Sequence, residues 1–466
     1  MKVAGLDGAM SDPAQARRWP LSAAQRGVWL GHQLDPSQSA FNIAEYYDVI
    51  GPVDVAALRR ACHLTVAETD ALRTRFTDSD TDSGAWQVLE NGVPSELEFA
   101  DCSGSSNPEL DARGWMQGDL TRPVDLRGGG LYSMALLRLS ADRHFWYQRC
   151  HHIALDHTGF RLVRQRIAEH YAGLTAGAPG EPGKLPSLSA LPSLAVLLDE
   201  DAQYLASTEF EEDREYWRDR CAAPPPTVRL GHQGTGPAGQ VWRTASALDA
   251  AQAGQLSRSA ESAGAWRAAL VAAAVVAYCH RLTGLDDIVL GLVVAGRVSP
   301  ETTRVPGMTV NVVPLRLPVA AGPAFGELIA AAGEEIWDAL EHQRYPGENL
   351  RADLGLRHRT EAVFGPVVNI VSFSGELALA GCRVTGHLLS RGQVADCEFT
   401  ISDLAGGGLA VETDASAALY GEAETAAHCD RFTRYLTTLA ADPSRPVGDV
   451  DLLTEAERRQ VLSDWA

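Results

Sequence analysis

Apolar and polar positions alternate between helical and strand spacing along the first 180 residues. AAQRGVWLGHQL carries apolar residues at three- and four-residue intervals and predicts a helix; AEYYDVIG predicts a strand; VAALRRACHLTVAET predicts a second helix. Strands are expected around residues 85 to 100. Leu131 to Cys150 reads as two more, LYSMALLRL and HFWYQRC, joined by a turn at Ser140-Ala141-Asp142-Arg143. FRLVRQRIAEHYAGL then returns to the helical period. A Pro- and Gly-rich stretch from Ala176 to Ser193 punctuates the chain and predicts a connection between two lobes. A second pattern starts near Val241. VWRTASALD predicts a strand, and AWRAALVAAAVVAYCHRL an Ala-rich, largely buried helix. DIVLGLVVAG is a continuous apolar run, which predicts a strand covered on both faces. VNVVPLRLPV and VVNIVSF predict further strands, and AETAAHCDRFTRYLTTLA a last helix. No short-period repeat is visible. The pattern is that of an α/β protein with two lobes.

Composition narrows the function classes. With 466 residues and 45% hydrophobic content the chain can bury large cores, and its length suggests two or three domains. No run of 18 apolar residues occurs, so no membrane span is expected, and the N-terminus lacks the apolar stretch of a secretory signal. The eight cysteines show no CxxC spacing, which reads as free thiols in a reducing, cytoplasmic setting. A net charge of -20 argues against nucleic acid as a partner. It leaves room for an acidic protein partner meeting a local basic patch, with Arg161 and Arg164, Arg214, and Arg351, Arg357, His358 and Arg359 as candidate faces.

The candidate chemistry lies in His151-His152-Ile153-Ala154-Leu155-Asp156-His157-Thr158-Gly159-Phe160, at the end of a predicted strand and before a helix. Imidazole titrates near neutrality, so a neutral, positioned histidine can take a proton from an incoming nucleophile. Adjacent strand residues point to opposite faces, so one of His151 and His152 is expected to be a packed support and the other to face a cleft. A metal site built from His151, His152, Asp156 and His157 lacks the usual ligand spacings. From this segment alone, a structural and a catalytic reading both stand.

The segment resembles the HHxxxDG motif of the condensation domains of nonribosomal peptide synthetases, which related CoA-dependent acyltransferases share. Other motifs follow in that family's order. Ser22 to Leu30 resembles SxAQxRxWxL. Leu72-Arg73-Thr74-Arg75-Phe76 resembles the end of ExLRTxF, with Asp70 where the family has Glu. DREYWRDR, from Asp213 to Arg220, is similar to a segment ending in a Tyr-Trp pair. Gly307 to Arg316 resembles GxxVNxxPLR, His342 to Pro346 resembles HQxxP, and Phe364 to Ile370 resembles the FGPxxN segment of enterobactin-synthase-type domains. The likeness covers residues 19 to 466.

The resemblance implies a fold of two chloramphenicol-acetyltransferase-like α/β lobes forming a V-shaped pseudo-dimer with the active site at their junction. The expected divisions are 19–180 for the N-terminal lobe, 181–240 for the connection, 241–455 for the C-terminal lobe and 456–466 for the start of a linker. A floor loop is expected from Arg297 to Met308, and a crossing segment near Gly375 to Cys397. His152 is the residue placed against the attacking amine and His151 its support. Asp156 is expected to be structural and to pair with Arg297, while Asn311 supports the site. The implied reaction is amide formation between a carrier-bound acyl or aminoacyl thioester and a carrier-bound amino acid. The substrates ride on phosphopantetheine arms, so no cofactor is expected to bind directly. The implied partners are donor and acceptor peptidyl carrier proteins and a downstream adenylation domain in the same polypeptide. The domain itself is expected to act as a monomer. Its N-terminal Met and short leader suggest that it opens that polypeptide. FGPVVN leans towards a siderophore system.

This chain has His157 where the family has Gly. Three readings are open: tolerance, with Gly159 supplying flexibility two residues on; a narrowed tunnel for a particular donor; or an impaired site. Impairment would fit a degenerate domain that recruits a partner without catalysis. An ester-forming or CoA-dependent acyltransferase is the other alternative. The intact histidines argue against a heterocyclisation domain, and no NYLGQ-like segment marks an epimerisation domain.

Overall fold

Ser22 starts the first helix. Its hydroxyl accepts the amide of Gln25, and the Gln25 side chain returns to the Ser22 amide, a reciprocal cap that fixes Ala23–Leu34 where the sequence predicts it. The computed structural model describes residues 17–464 except 38, 79–84, 93–95, 177–188, 233, 238, 320–321, 357–361 and 372–376. Most of the Pro- and Gly-rich stretch, and the candidate basic residues Arg357, His358 and Arg359, lie outside the described residues.

The chain divides into two compact units. The first takes in the chain up to Ala202 together with Val298–Met308 and Leu377–Arg391. Its main sheet has five strands in the order Arg383–Arg391, Asn42–Ile50, Arg143–His151, Tyr132–Arg138 and Leu97–Asp101, all antiparallel except the last pair. Arg143–His151 is the central strand and is buried along nearly its whole length, which accounts for the unbroken aromatic run HFWYQRC. One face packs Trp146 and Cys150 into a core that also holds Leu58, Val66, Val163 and Ile167. Those residues come from the helices Val55–Glu68 and His157–Thr175. The other face buries Phe145 and Tyr147 against Ala112 and Met116 of the helix Pro108–Leu120. A small three-stranded sheet, Arg18–Pro20, Ala85–Leu89 and Thr74–Asp78, completes the unit.

The second unit has a six-stranded sheet in the order Asn311–Pro318, Asp287–Val294, Val367–Val371, Cys397–Asp403, Leu409–Ser416 and Val241–Leu248. Arg267–Thr283 is the Ala-rich helix, and it is buried on all sides from Ala269 to His280. It stops at Gly284, whose φ of 72° is the left-handed cap that favours glycine. No single described helix is long and apolar enough to cross a membrane.

Two segments depart from the expected divisions. The loop after Arg297 and the strand Arg383–Arg391 group with the first unit and not with the 241–455 lobe. The strand does so because it adds antiparallel to Asn42–Ile50 and covers the edge of that sheet. The helices Ala195–Leu205 and Thr208–Arg220 occupy part of the stretch expected to be a connection.

Candidate active site

The central strand delivers the histidine motif. His151 is its last residue, its amide bonded to the Leu131 carbonyl. The His152 amide is bonded to the Phe41 carbonyl at 2.8 Å, and the chain then turns through His152, Ile153 and Ala154. Asp156 is the N-cap of the helix His157–Thr175. Its carboxylate accepts the Gly159 amide at 2.8 Å, and its carbonyl accepts the Phe160 amide at 2.8 Å. The Asp156 amide donates to the Gly307 carbonyl at 3.1 Å, within the same unit.

The two histidines differ in the way their alternation along the chain predicts. His151 is 2% exposed, and its Nδ1 accepts the Ile153 amide at 3.2 Å. Its ring stands edge-on to His32, with centroids 5.1 Å apart, and also meets Phe41. His152 is only partly buried. Burial holds its basicity below the usual imidazole value, opposed by the Asp156 charge and by the carbonyls of His152 and Leu155. At neutral pH His152 is therefore uncharged and able to accept a proton. His151 is depressed further, first by burial and then by His32 and His152.

The motif has further supports outside its own segment. Gln25 donates to the Ile153 carbonyl at 3.2 Å and bonds to Gln87, tying the first helix to the motif. His32 and Phe41 pack His151. Gly31 makes room for Phe41, since a Cβ there would lie 2.6 Å from its ring. The SxAQ motif signalled Gln25; nothing in the local sequence pattern marks Phe41.

His157 is the first residue of the helix, and none of the described non-glycine residues has a positive φ. It occupies an ordinary helical position, where a residue with a side chain meets no left-handed strain. Burial, Arg164, Arg391 and Arg161 lower its pKa to about 4 against the pull of Asp156, so it too is neutral at pH 7. Gly159 is not a flexible joint either. It lies inside the helix, where its missing side chain leaves space for the Gly307 backbone.

Arg164 does not contribute to an exposed basic face. It is buried and bonds both oxygens of Glu45 at 3.0 and 3.1 Å, while Glu45 also accepts the Tyr47 hydroxyl. Arg214 is held by Asp353 through two bonds of 3.0 Å.

In the second unit, motifs distant in sequence meet. The Asn311 amide donates to the carbonyls of Gln343 at 3.0 Å and Tyr345 at 2.7 Å, joining GxxVN to HQxxP. Nδ1 of His342 bonds the buried Asp213 carboxylate at 2.7 Å, and Trp217 donates to the His342 carbonyl, which adds DREYWRDR. Arg297 follows Gly296, whose φ is 63° and where a Cβ would lie 2.2 Å from the Thr309 carbonyl oxygen. The Arg297 guanidinium donates to the Thr309 hydroxyl. Among the described residues, no group of three or more His, Cys, Asp or Glu is placed to hold a metal ion.

A family profile described as Condensation domain matches residues 15–462. This chain belongs to the condensation-domain family. Among similar proteins, the dimodular nonribosomal peptide synthase of Bacillus subtilis (strain 168) is 36% identical over 96% of this chain and 18% of its own length. The isonitrile lipopeptide synthase of Streptomyces coeruleorubidus is 38% identical over 93% of this chain and 29% of its own. Enterobactin synthase component F of Escherichia coli O157:H7 is 30% identical over 95% of this chain and 34% of its own. The chain thus spans about a fifth to a third of the length of these three relatives. Among solved structures, a mutant starter condensation domain of rhizomide synthetase RzmA in complex with C8-CoA superposes with a TM-score of 0.86. It is 34% identical, and the match covers 94% of this chain and 98% of that one. The first condensation domain of the CDA synthetase gives 0.85 at 32% identity, over 94% and 99%. The condensation domain is an acyltransferase, and the two α/β units are its fold.

Proposed function

We propose that this chain forms an amide bond between an acyl or aminoacyl thioester donor and the amino group of a carrier-bound amino acid. His152 is the group set against the amine. The observation that carries this reading is the contrast between the two histidines: His151 is sealed and its Nδ1 is taken by the Ile153 amide, whereas His152 is partly open, both rings being uncharged at neutral pH. The neutral amine adds to the thioester carbonyl. A C–N bond forms, and the carbonyl oxygen takes the negative charge. The C–S bond then breaks, and the amine proton passes by way of His152 to the departing sulfur, giving an amide and a free thiol. Positioning the amine contributes several kcal/mol of barrier reduction, and proton transfer typically adds about two to four powers of ten. Pairing of Asp156 with Arg297 belongs to this proposal, as does support of the site by Asn311.

Both substrates ride on phosphopantetheine arms of donor and acceptor peptidyl carrier proteins, and the domain works as a monomer preceding an adenylation domain. A second reading concerns the donor alone. The likeness to a starter domain crystallised with C8-CoA and to a lipopeptide synthase favours an acyl chain as donor, delivered by a carrier or by CoA. A donor panel tests both readings. Octanoyl, decanoyl and aminoacyl groups are offered on a donor carrier, and octanoyl also as its CoA thioester. Leucyl- and seryl-loaded carriers serve as acceptors, and product on the acceptor arm is read by intact-protein mass spectrometry. Amide product from any carrier-bound donor supports the proposal. Transfer from octanoyl-CoA alone removes the donor carrier from it, and alkali-labile ester product contradicts it.

A further inference from the structure

Gly159 and Gly307 are far apart in the chain and touch through their backbones. A Cβ on Gly159 would lie 2.9 Å from both the amide nitrogen and the carbonyl oxygen of Gly307. Those are main-chain atoms, so an added methyl group has no flexible side chain to push aside. On the other side, a Cβ on Gly307 would lie 2.5 Å from Leu197 Cδ1 and 3.1 Å from Leu194 Cδ1. The Gly307 backbone is therefore held between the first turn of the motif helix and two leucines. Neither glycine has a positive φ, so close approach and not conformation is what a side chain would meet at each, backbone at Gly159 and the ends of two leucine side chains at Gly307.

The contact has a consequence for the site. It brings the Gly307 carbonyl to 3.1 Å from the Asp156 amide. The loop from His152 to Asp156 is held at its histidine end by Phe41, Gln25 and the His151 ring. At its other end the Gly307 bond adds to the cap that Asp156 forms on the motif helix. The segment that supplies it is itself anchored in the first unit. Val305 and Thr302 are buried, and Ser299 donates to Glu200 at 2.6 Å.

We propose that Gly159 and Gly307 are positioning residues, whose backbone contact seats the segment Val298–Met308 against Asp156 and thereby fixes where His152 stands during acyl transfer. This rests on the reading of His152 as the group facing the amine.

The test uses the full chain, with the most productive donor and acceptor of the panel above. Gly159→Ala is expected to speed hydrogen–deuterium exchange at the Asp156 amide. It should also lower kcat about tenfold or more, with KM within about twofold, since small misplacements at a site cost rate. Gly307→Ala is expected to act in the same direction but more weakly, since the ends of the Leu197 and Leu194 side chains can shift. Gly307→Ala combined with Leu197→Ala should regain most of the kcat of Leu197→Ala alone, because the clash it relieves is with Leu197. If Gly159→Ala does not fold, the Gly307 and Leu197 variants decide. Wild-type exchange and wild-type kcat in Gly159→Ala would overturn the proposal, and so would a double variant no better than Gly307→Ala. His152→Ala run alongside separates the two readings. Full turnover in that variant sinks the role of His152, whereas the exchange rate at Asp156 reports on the glycine contact independently.

Discussion

Ile153 donates its amide hydrogen to Nδ1 of His151, two residues before it in the chain, at 3.2 Å. That bond occupies the ring nitrogen through which His151 could accept a proton and turns the residue into part of the scaffold. It also fixes the turn that carries His152 out of the strand ladder. Removing the His151 ring leaves the Ile153 amide without its acceptor and opens a void beside His32 and Phe41. His151→Ala is expected to lose about 2 to 4 kcal/mol in urea unfolding, more than His152→Ala, as for a buried unsatisfied group combined with a cavity. Equal stability of the two variants would contradict the division of roles.

With His152 as the proposed base, the pH dependence of turnover follows its protonation. Its folded-state basicity lies below the usual imidazole value of about 6.5, so the proton is off throughout the neutral range. As pH falls, the base is lost only when its lowered value is passed. The acid limb of kcat is therefore expected to bend below pH 6.5, measured by rapid quench from pH 5 to 8. A bend at or above pH 7 would point to another group.

Asp156 caps the motif helix with its carboxylate, and it is buried. Asp156→Ala removes the cap and should lower stability by about 1 kcal/mol from that loss alone. The proposed pairing with Arg297 makes the cost larger, on the order of 3 to 5 kcal/mol for removing one partner of a buried pair. Reduced yield of folded protein is the expected result, with Asp156→Asn intermediate because its side-chain oxygen can still cap. Stable, folded and merely inactive Asp156→Ala protein would refute this account of Asp156.

His157 couples stability to acid. Unfolded, it takes up a proton below about pH 6.5; folded, it stays neutral to about pH 4. The unfolded state binds more protons in that window, so stability is full above pH 6.5 and falls as pH drops towards 4. His157→Gln should flatten this fall, by about 1 to 2 kcal/mol at pH 5, from about 1.4 kcal/mol per unit. Unfolding curves at pH 7 and pH 5 for both proteins check the sign. The same residue sits in an ordinary helical position, so His157→Gly is expected to give no large gain in turnover.

Much of the site was legible because its signals are local. The strand HFWYQRC, the two histidines and the helix after them occupy one short stretch, and alternation puts His151 and His152 on opposite faces, while the resemblance says which of them meets the substrate. Elements that depend on distant partners were not. RVTGHLLSR has no alternation to read, and it becomes a strand only by pairing with Asn42–Ile50. FGELIAAAGEEIWDALE contains two glycines that weaken its helical signal, yet Phe325–Glu341 forms because its apolar face is buried and Gly333 allows close packing against Ala265. Arg164 looked like a surface charge in a helical pattern, since nothing near it in sequence announces Glu45. The glycine-to-histidine change invited a conformational explanation, and the helix start at His157 removes the need for one.

The proposed role of His152 is the transfer of the amine proton. The most direct measurement is single-turnover condensation with preloaded donor and acceptor carriers, comparing wild type with His152→Ala by intact-protein mass spectrometry. The rate is expected to fall by about two to four powers of ten in His152→Ala, with the folded state and acceptor-carrier binding retained. A His152→Ala protein that condenses at the wild-type rate would contradict it.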